Sequence, residues 1–436
     1  MDTGYLKHVI AVFDRLGFLR VTHSPHWDVF WSHDYPFSTL RSEMLQLKPH
    51  QKVNHFPGSG FLTNKVSLVT GAVFSFIPRA FKVPKEKEQF FKYVEDNPKT
   101  FWVQKGSQHR GVAIKGVEDL DLSNNNTFIQ EYIGNPFLID GRRFDIGLYV
   151  ALTSINPLRL YIYEGDWLIR FCPSEYYPFD SSDRDKYVIS DAYLPPWKVP
   201  SLAFYYNKLD FNRKQSLFAY LREKGHDPEL LAKSLKDAVT EVFLKMEEKL
   251  IKASKNYASS RNFFEMVRFD FVLDENLKVY LLEVNMSPNL SSGHFPPNKV
   301  LYEQIVFSLL HLVGVDKTTV HQKKQMSEDE RNMLASTKDI QTYSSECAST
   351  ECSKSCSENI VCKLCNGCMT DASALRQAYM EHLNRYTWRR LFPIPFESAS
   401  TFNPASDEQF QSLNSANKVM TLWFRGKCLQ DPAWCS

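Results

Sequence analysis

Two carboxylates and an amide, Asp270, Glu283 and Asn285, stand in an otherwise largely apolar stretch, FEMVRFDFVLDENLKVYLLEVNMSPN, running from Phe264 to Asn289. Val267–Leu273 and Val279–Val284 are apolar runs of strand length. The polar turn Glu275-Asn276-Leu277-Lys278 separates them, which predicts a β-hairpin. With Asp274 opposite Val279, the register sets Asp270 directly against Glu283, and Asn285 shares the face of Glu283. Opposed carboxylates repel unless something positive sits between them. Two carboxylates and an amide oxygen form a hard-oxygen set suited to Mg²⁺ shared with substrate phosphates. A solvated acidic pair is the plain alternative, but the apolar runs point to buried strands. The hairpin reads as a metal–nucleotide site.

Three further stretches carry suitable chemistry. In Trp102–Ile114 a strand delivers Lys105, a polar loop holds His109, Arg110 and Gly111, and a second strand leaves. Cations and exposed N–H groups suit phosphate oxygens, and Gly111 permits close approach; taken alone, an ordinary basic hairpin explains the stretch equally well. Next, Phe128-Ile129-Gln130-Glu131-Tyr132-Ile133 is an apolar strand whose backbone and ring could line an adenine pocket, although by itself it reads as a buried strand. Finally, Arg143 and Asp145 lie two apart on a strand and point the same way. An exposed ion pair would be worth little; beside the metal pair and Lys105, contact with nucleotide and phosphate is the better reading.

The elements that must position these groups divide the 436 residues into five parts. Residues 1–95 read as an N-terminal subdomain of short elements, with a helix over Tyr5–Leu16. Residues 96–315 hold strands near Trp102–Gln104, Phe128–Tyr132, Phe144–Leu152, Leu158–Tyr163 and Trp167–Phe171, followed by a long helix and the hairpin. Asp227-Pro228, an N-cap followed by proline at the first helical position, starts that helix, and Leu231, Leu235, Val239, Val242, Met246 and Leu250 give it a core stripe. Residues 316–373 read as a polar, cysteine-containing linker, 374–395 as a terminal helix of the same domain, and 396–436 as a disordered tail.

A formal charge of +2 gives no bulk support for nucleic-acid binding. No run reaches the length of a transmembrane helix, and the start lacks the basic and apolar parts of a signal peptide, so a cytosolic setting is the expectation. Six of nine cysteines lie between Cys347 and Cys368. Free thiols in a flexible linker are the favoured reading; zinc, suggested by Cys362-Lys363-Leu364-Cys365-Asn366-Gly367-Cys368, and disulfides are the alternatives. Disulfides would overturn the cytosolic expectation and make the sequons at Asn125 and Asn289 relevant.

Taken in order, these motifs resemble the tubulin–tyrosine ligase-like family. A family strand motif, Lys-Phe-Asp-Leu-Arg, is matched by Arg143-Phe144-Asp145-Ile146-Gly147. The metal motif is matched by Phe269-Asp270, by Leu281-Leu282-Glu283-Val284-Asn285 and by Ser287-Pro288. Thr63-Asn64-Lys65, Gln130-Glu131-Tyr132-Ile133 and Pro157-Leu158-Arg159 also match. The resemblance implies an α/β (α+β) fold: an ATP-grasp-type ligase domain with a smaller N-terminal subdomain and a polar C-terminal extension. It implies an ATP- and Mg²⁺-dependent ligase that makes an amide through an acyl phosphate, adding glutamate to the tails of tubulin or microtubules beside the cytoskeleton. By position, Asp270, Glu283 and Asn285 would hold the metal. Lys105, Arg110, Gly111, Gln130, Glu131, Tyr132, Ile133, Arg143, Asp145 and Ser190 would bind the nucleotide, and Arg170 and Arg143 would serve catalysis.

Departures from the family pattern fall on the amino-acid side. Gly147 stands where the motif carries a second cation, and losing one charge-assisted contact costs on the order of 1.5–3 kcal/mol. Ser190-Asp191 stands for Thr-Asn, and Arg143 for lysine, which keeps the charge but changes the geometry. Two other readings follow: an ATP-binding, microtubule-associated scaffold without turnover, and a ligase with a different acceptor.

Overall fold

The computed structural model describes residues 5–22, 26–106, 113–125, 127–315, 327–357, 359–369 and 371–436. The strands are β1 (Val29–Phe30), β2 (Lys52–Val53), β3 (Ala80–Lys82), β4 (Trp102–Gly106), β5 (Ala113–Lys115), β6 (Thr127–Glu131), β7 (Phe144–Ile155), β8 (Leu158–Tyr163), β9 (Leu168–Phe171), β10 (Glu265–Leu273), β11 (Val279–Asn285) and β12 (Trp388–Phe392). The fold is mixed α/β.

The main antiparallel sheet runs β11-β10-β7-β8-β12, and β9 pairs with the first residues of β7. The 12 residues of β7 are all buried, because both faces of the sheet are covered. Ile146, Leu148, Val150 and Leu152 share a core with Leu235, Val239, Val242 and Met246 of the helix Pro228–Ser254. Asp227 caps that helix, accepting from the backbone N–H groups of Glu229 and Leu230. Tyr149 and Ala151 point the other way, into a core with Ile305 and Leu309 of the helix Asn298–Leu312 and with Val9 and Val12 of the helix Lys7–Arg15. A smaller sheet, β3-β6-β4-β5, packs Phe81, Trp102 and Ile129 against Phe90 of the helix Lys87–Asp96. Among the described residues no helix is long and apolar enough to cross a membrane.

Two expectations for the C-terminal part are corrected. The terminal helix expected over 374–395 is the helix Ala372–Asn384 followed by β12. Tyr386 takes a left-handed backbone (φ 49°) that ends the helical path, and Trp388–Phe392 then pairs along β8. Nor is 396–436 an unordered tail: the helix Ser415–Gln430 buries Met420, Leu422, Trp423 and Phe424. Its Asn417 accepts from the backbone N–H of Leu158 and donates to Glu247, each at 2.8 Å, closing the turn between β7 and β8. A buried cluster also ties this region to the sheet, with Glu381 accepting from Arg159, Thr153 and Tyr161.

The free-thiol reading is corrected as well. Cys347–Cys365, Cys352–Cys362 and Cys356–Cys368 are disulfides, Cys428–Cys435 is a fourth, and buried Cys172 is the free cysteine. The segment expected to be a linker folds around the first three bridges. Cys352, Cys362 and Cys365 bury one another, with Cys347 packed against them, where apolar side chains are few.

Candidate active site

Strand alternation builds the site. Asp145 and Gly147 lie on the same face of β7 as Tyr149, at the open end of the second core. Across β10, Asp270 is the register partner of Gly147 and Arg268 of Tyr149; across β9, Arg170 is the partner of Asp145. On β11, Glu283 pairs with Asp270 and Asn285 with Arg268. The expected opposition of Asp270 and Glu283 is present, by a different route. Leu273, not Asp274, faces Val279, and a bulge between Asp270 and Phe271 restores the pairing.

Asp270 is 1% exposed and carries more partners than a metal ligand needs. Arg268 forks onto it, Nε to Oδ1 at 2.6 Å and Nη2 to Oδ2 at 2.8 Å. Arg170 donates to Oδ2 at 3.0 Å, and to both oxygens of Asp145 at 3.0 and 2.6 Å. Asp145 thus pairs with Arg170, not with Arg143 two residues before it. Burial pushes the Asp145 carboxyl up to about 6 even so, with Arg170 pulling it down and Asp270 adding to the rise. Asn285 turns its Nδ2 to Asp270 at 2.9 Å and to Glu283 at 3.2 Å.

Glu283 reaches Lys65 Nζ at 3.0 Å. Burial would raise its carboxyl, but Lys65, Arg268 and the Asn285 amide together hold it at about 2. The donor set therefore fits a hard divalent cation: Glu283 is ionised at neutral pH, and the amide oxygen of Asn285 remains after its nitrogen is spent. Among the described residues no group of three or more His, Cys, Asp or Glu could hold a metal. A cation here would complete its shell from phosphates or water.

The smaller sheet supplies the facing wall. Lys105 on β4 donates to Gln130 Oε1 at 2.7 Å, and Gln130 donates to the Pro78 carbonyl. Burial lowers the Lys105 ammonium to about 8; Glu283 raises it, while Lys65 and Arg143 push it further down. Those four charges thus share one cleft. Arg143 is buried and donates to the Tyr132 hydroxyl at 2.7 Å and the Ile133 carbonyl at 3.0 Å, with its guanidinium over the Tyr132 ring. Glu131 accepts weakly from Tyr93 at the edge of this sheet. Ser190 is exposed and its hydroxyl accepts from Ala192 N–H within its own turn, so it does not join the site. Neighbouring Asp191 lines a cavity of about 350 Å³ together with Arg170, Arg268, Asn285 and His294. Arg110 and Gly111 lie outside the described residues.

Two residues at the centre of the site had no role in the sequence reading. Lys65 was visible only within Thr63-Asn64-Lys65. Arg268 lay inside a run read as apolar; its signal is a charge two residues before Asp270, hence on the same strand face.

Around this arrangement of two carboxylates and an amide facing lysine and arginine, residues 41–326 match the "Tubulin-tyrosine ligase family". The chain belongs to that family of ligases. Among its relatives it is similar to "Probable tubulin polyglutamylase ttll-15" of Caenorhabditis elegans, at 39% identity over 99% of this chain and 84% of that protein. It is 28% identical to the human "Tubulin monoglutamylase TTLL4" over 81% of this chain and 29% of that protein. With the mouse "Tubulin polyglutamylase TTLL5" it shares 31% identity over 62% of this chain and 21% of that protein. The chain therefore spans most of the first relative and under a third of the other two.

Proposed function

We propose that the chain is an ATP- and Mg²⁺-dependent ligase of ATP-grasp type that joins glutamate to tubulin tails. The observation that carries the reading is the cleft itself: Lys105 and Gln130 on the smaller sheet face ionised Glu283 and Lys65 at the larger one. Two sheets gripping a gap between them are what the ATP-grasp assignment requires. The names of the relatives support tubulin as acceptor and glutamate as the added residue.

In this reading the acceptor carboxylate takes the γ-phosphoryl group of ATP and ADP is released. The amine nitrogen of glutamate then attacks the acyl carbon. A C–N bond forms, the C–O bond to phosphate breaks, phosphate leaves with the electron pair and the amine gives up a proton. Glu283 and the amide oxygen of Asn285 would hold Mg²⁺, which would neutralise charge on the transferred group, while Asp270, its oxygens taken by Arg268, Arg170 and Asn285, would fix their positions. Lys105 and Lys65 place fixed cations beside the phosphates, so little reorganisation is needed as charge develops. Arg143, braced on Tyr132 and Ile133, holds that edge of the pocket rigid. Arg170 links Asp145 to Asp270 and borders the 350 Å³ cavity where the amino acid enters.

The full chain, incubated with ATP, Mg²⁺, glutamate and microtubules, is expected to add glutamate to tubulin tails, read by mass spectrometry, and to lose transfer in Glu283→Gln. Undiminished transfer in that variant would overturn the reading. One observation favours the second reading, a scaffold that binds ATP without turnover: Gly147 removes a cation. Bound ATP with no transfer to any acceptor would establish it.

A further inference from the structure

We infer that Arg268 supplies, from the neighbouring strand, the guanidinium that position 147 lacks, and that with Arg170 it binds the carboxylate of the incoming amino acid. The inference rests on the ligase reading and names the substrate contact within it.

The first observation is steric. Gly147 lies in regular strand, so the glycine is not there for backbone freedom. A Cβ at that position would come 3.0 Å from Arg268 Cδ, 3.3 Å from its Nε and 3.2 Å from Asp270 Oδ1. The Arg268 side chain occupies the space above residue 147. A side chain at 147 would press on Arg268 and Asp270, so an arginine there and one at 268 compete for the same space.

The second observation is placement. Arg268 is 6% exposed, yet it borders the 350 Å³ cavity beside Arg170 and Asn285. A cavity of that size lies in the range of small-molecule sites. Arg268 spends Nε and Nη2 on Asp270, and Arg170 spends Nε and Nη2 on Asp145 and Asp270. Among the described residues no hydrogen bond falls to Nη1 of Arg170, and Arg268, beyond its fork onto Asp270, has the neutral Tyr149 hydroxyl beside it. A counter-ion for Asp270 needs only the forked edge; the remaining donors fit a carboxylate, which guanidinium groups bind in fork geometry. Asp191 lines the same cavity and can meet the substrate amine. A paired cation and a single acid match the two ends of an amino acid.

Calorimetric titration of the full chain with L-glutamate, and separately with a non-hydrolysable ATP analogue, reads binding without turnover. Arg268→Gln is expected to weaken glutamate binding at least about tenfold and to leave the analogue within about twofold. Arg268→Lys, which keeps the charge but not the fork, should fall between the two. Gly147→Arg alone should bind glutamate worse than wild type, because two side chains compete for one volume. The exchange Gly147→Arg with Arg268→Gly should recover part of the loss. Wild-type glutamate affinity in either Arg268→Gln or Arg268→Lys, or equal losses for glutamate and analogue, overturns the inference while leaving the ligase reading intact. A wild-type chain that neither binds nor transfers glutamate overturns both.

Discussion

At the scale of single residues, the charges in the cleft make its pH dependence specific. Lys105, lowered by burial from its ordinary 10.5 to about 8, is mostly protonated at neutral pH. A nucleotide phosphate favours the charged form, so binding above pH 8 must take up a proton. ATP-analogue affinity should therefore fall as pH rises through about 8, by up to about tenfold per unit, and Lys105→Gln should bind more weakly with that dependence gone. Glu283 titrates in the opposite sense. Its carboxyl lies at about 2 against an ordinary 4.5, so the stability it contributes is complete above 4.5 and is lost as pH falls toward 2. Acid unfolding followed by circular dichroism should show a shallower acid limb in Glu283→Gln.

At the scale of elements, the hairpin was the most legible part of the chain. Apolar runs of strand length around a polar turn specify a hairpin, and period 2 places Asp270 and Glu283 on one face. What the pattern lacks is the bulge, because an extra residue in a strand leaves no mark on composition. The long helix was legible from its cap and stripe. The C-terminal helix was not: its positioning residue is polar, and the partners of Asn417, Leu158 and Glu247, lie far away in sequence. Removing that side chain leaves the buried Leu158 N–H unpaired. Asn417→Ala should cost about 1–3 kcal/mol in urea denaturation, and it should loosen the β7–β8 turn without touching the cleft. The role of Arg268 is illegible for a related reason, since a buried charge sits among apolar neighbours only when its counter-charge arrives from folding.

At the scale of the whole molecule, the ligase sheet and the cysteine-rich C-terminal region form one body, joined by β12, by Glu381 and by Asn417. The four disulfides close separations of 18, 10, 12 and 7 residues. At about 2–4 kcal/mol for a typical bridge, reduction should lower the melting temperature and unfold this region first, which thermal scans with and without reductant and pulse alkylation of the released thiols would read. Free thiols and a cytosolic setting were one joint expectation, and disulfides persist where the surroundings are oxidising. Thiol mapping of protein taken directly from its cells separates the two settings. Closed bridges place maturation in an oxidising compartment and turn the search for acceptors to its contents; open ones return the chain to the cytosol, where tubulin is.

The glycine at 147 beneath the arginine at 268 has a bearing on descent. If one guanidinium can stand on either of two adjacent strands, the two positions behave as a single hereditary unit. A lineage changing only one of them passes through a chain with two side chains in one space or with none. Read column by column, such a chain scores as a ruined ligase; read across the hydrogen bonds of the sheet, it keeps its full complement of cations.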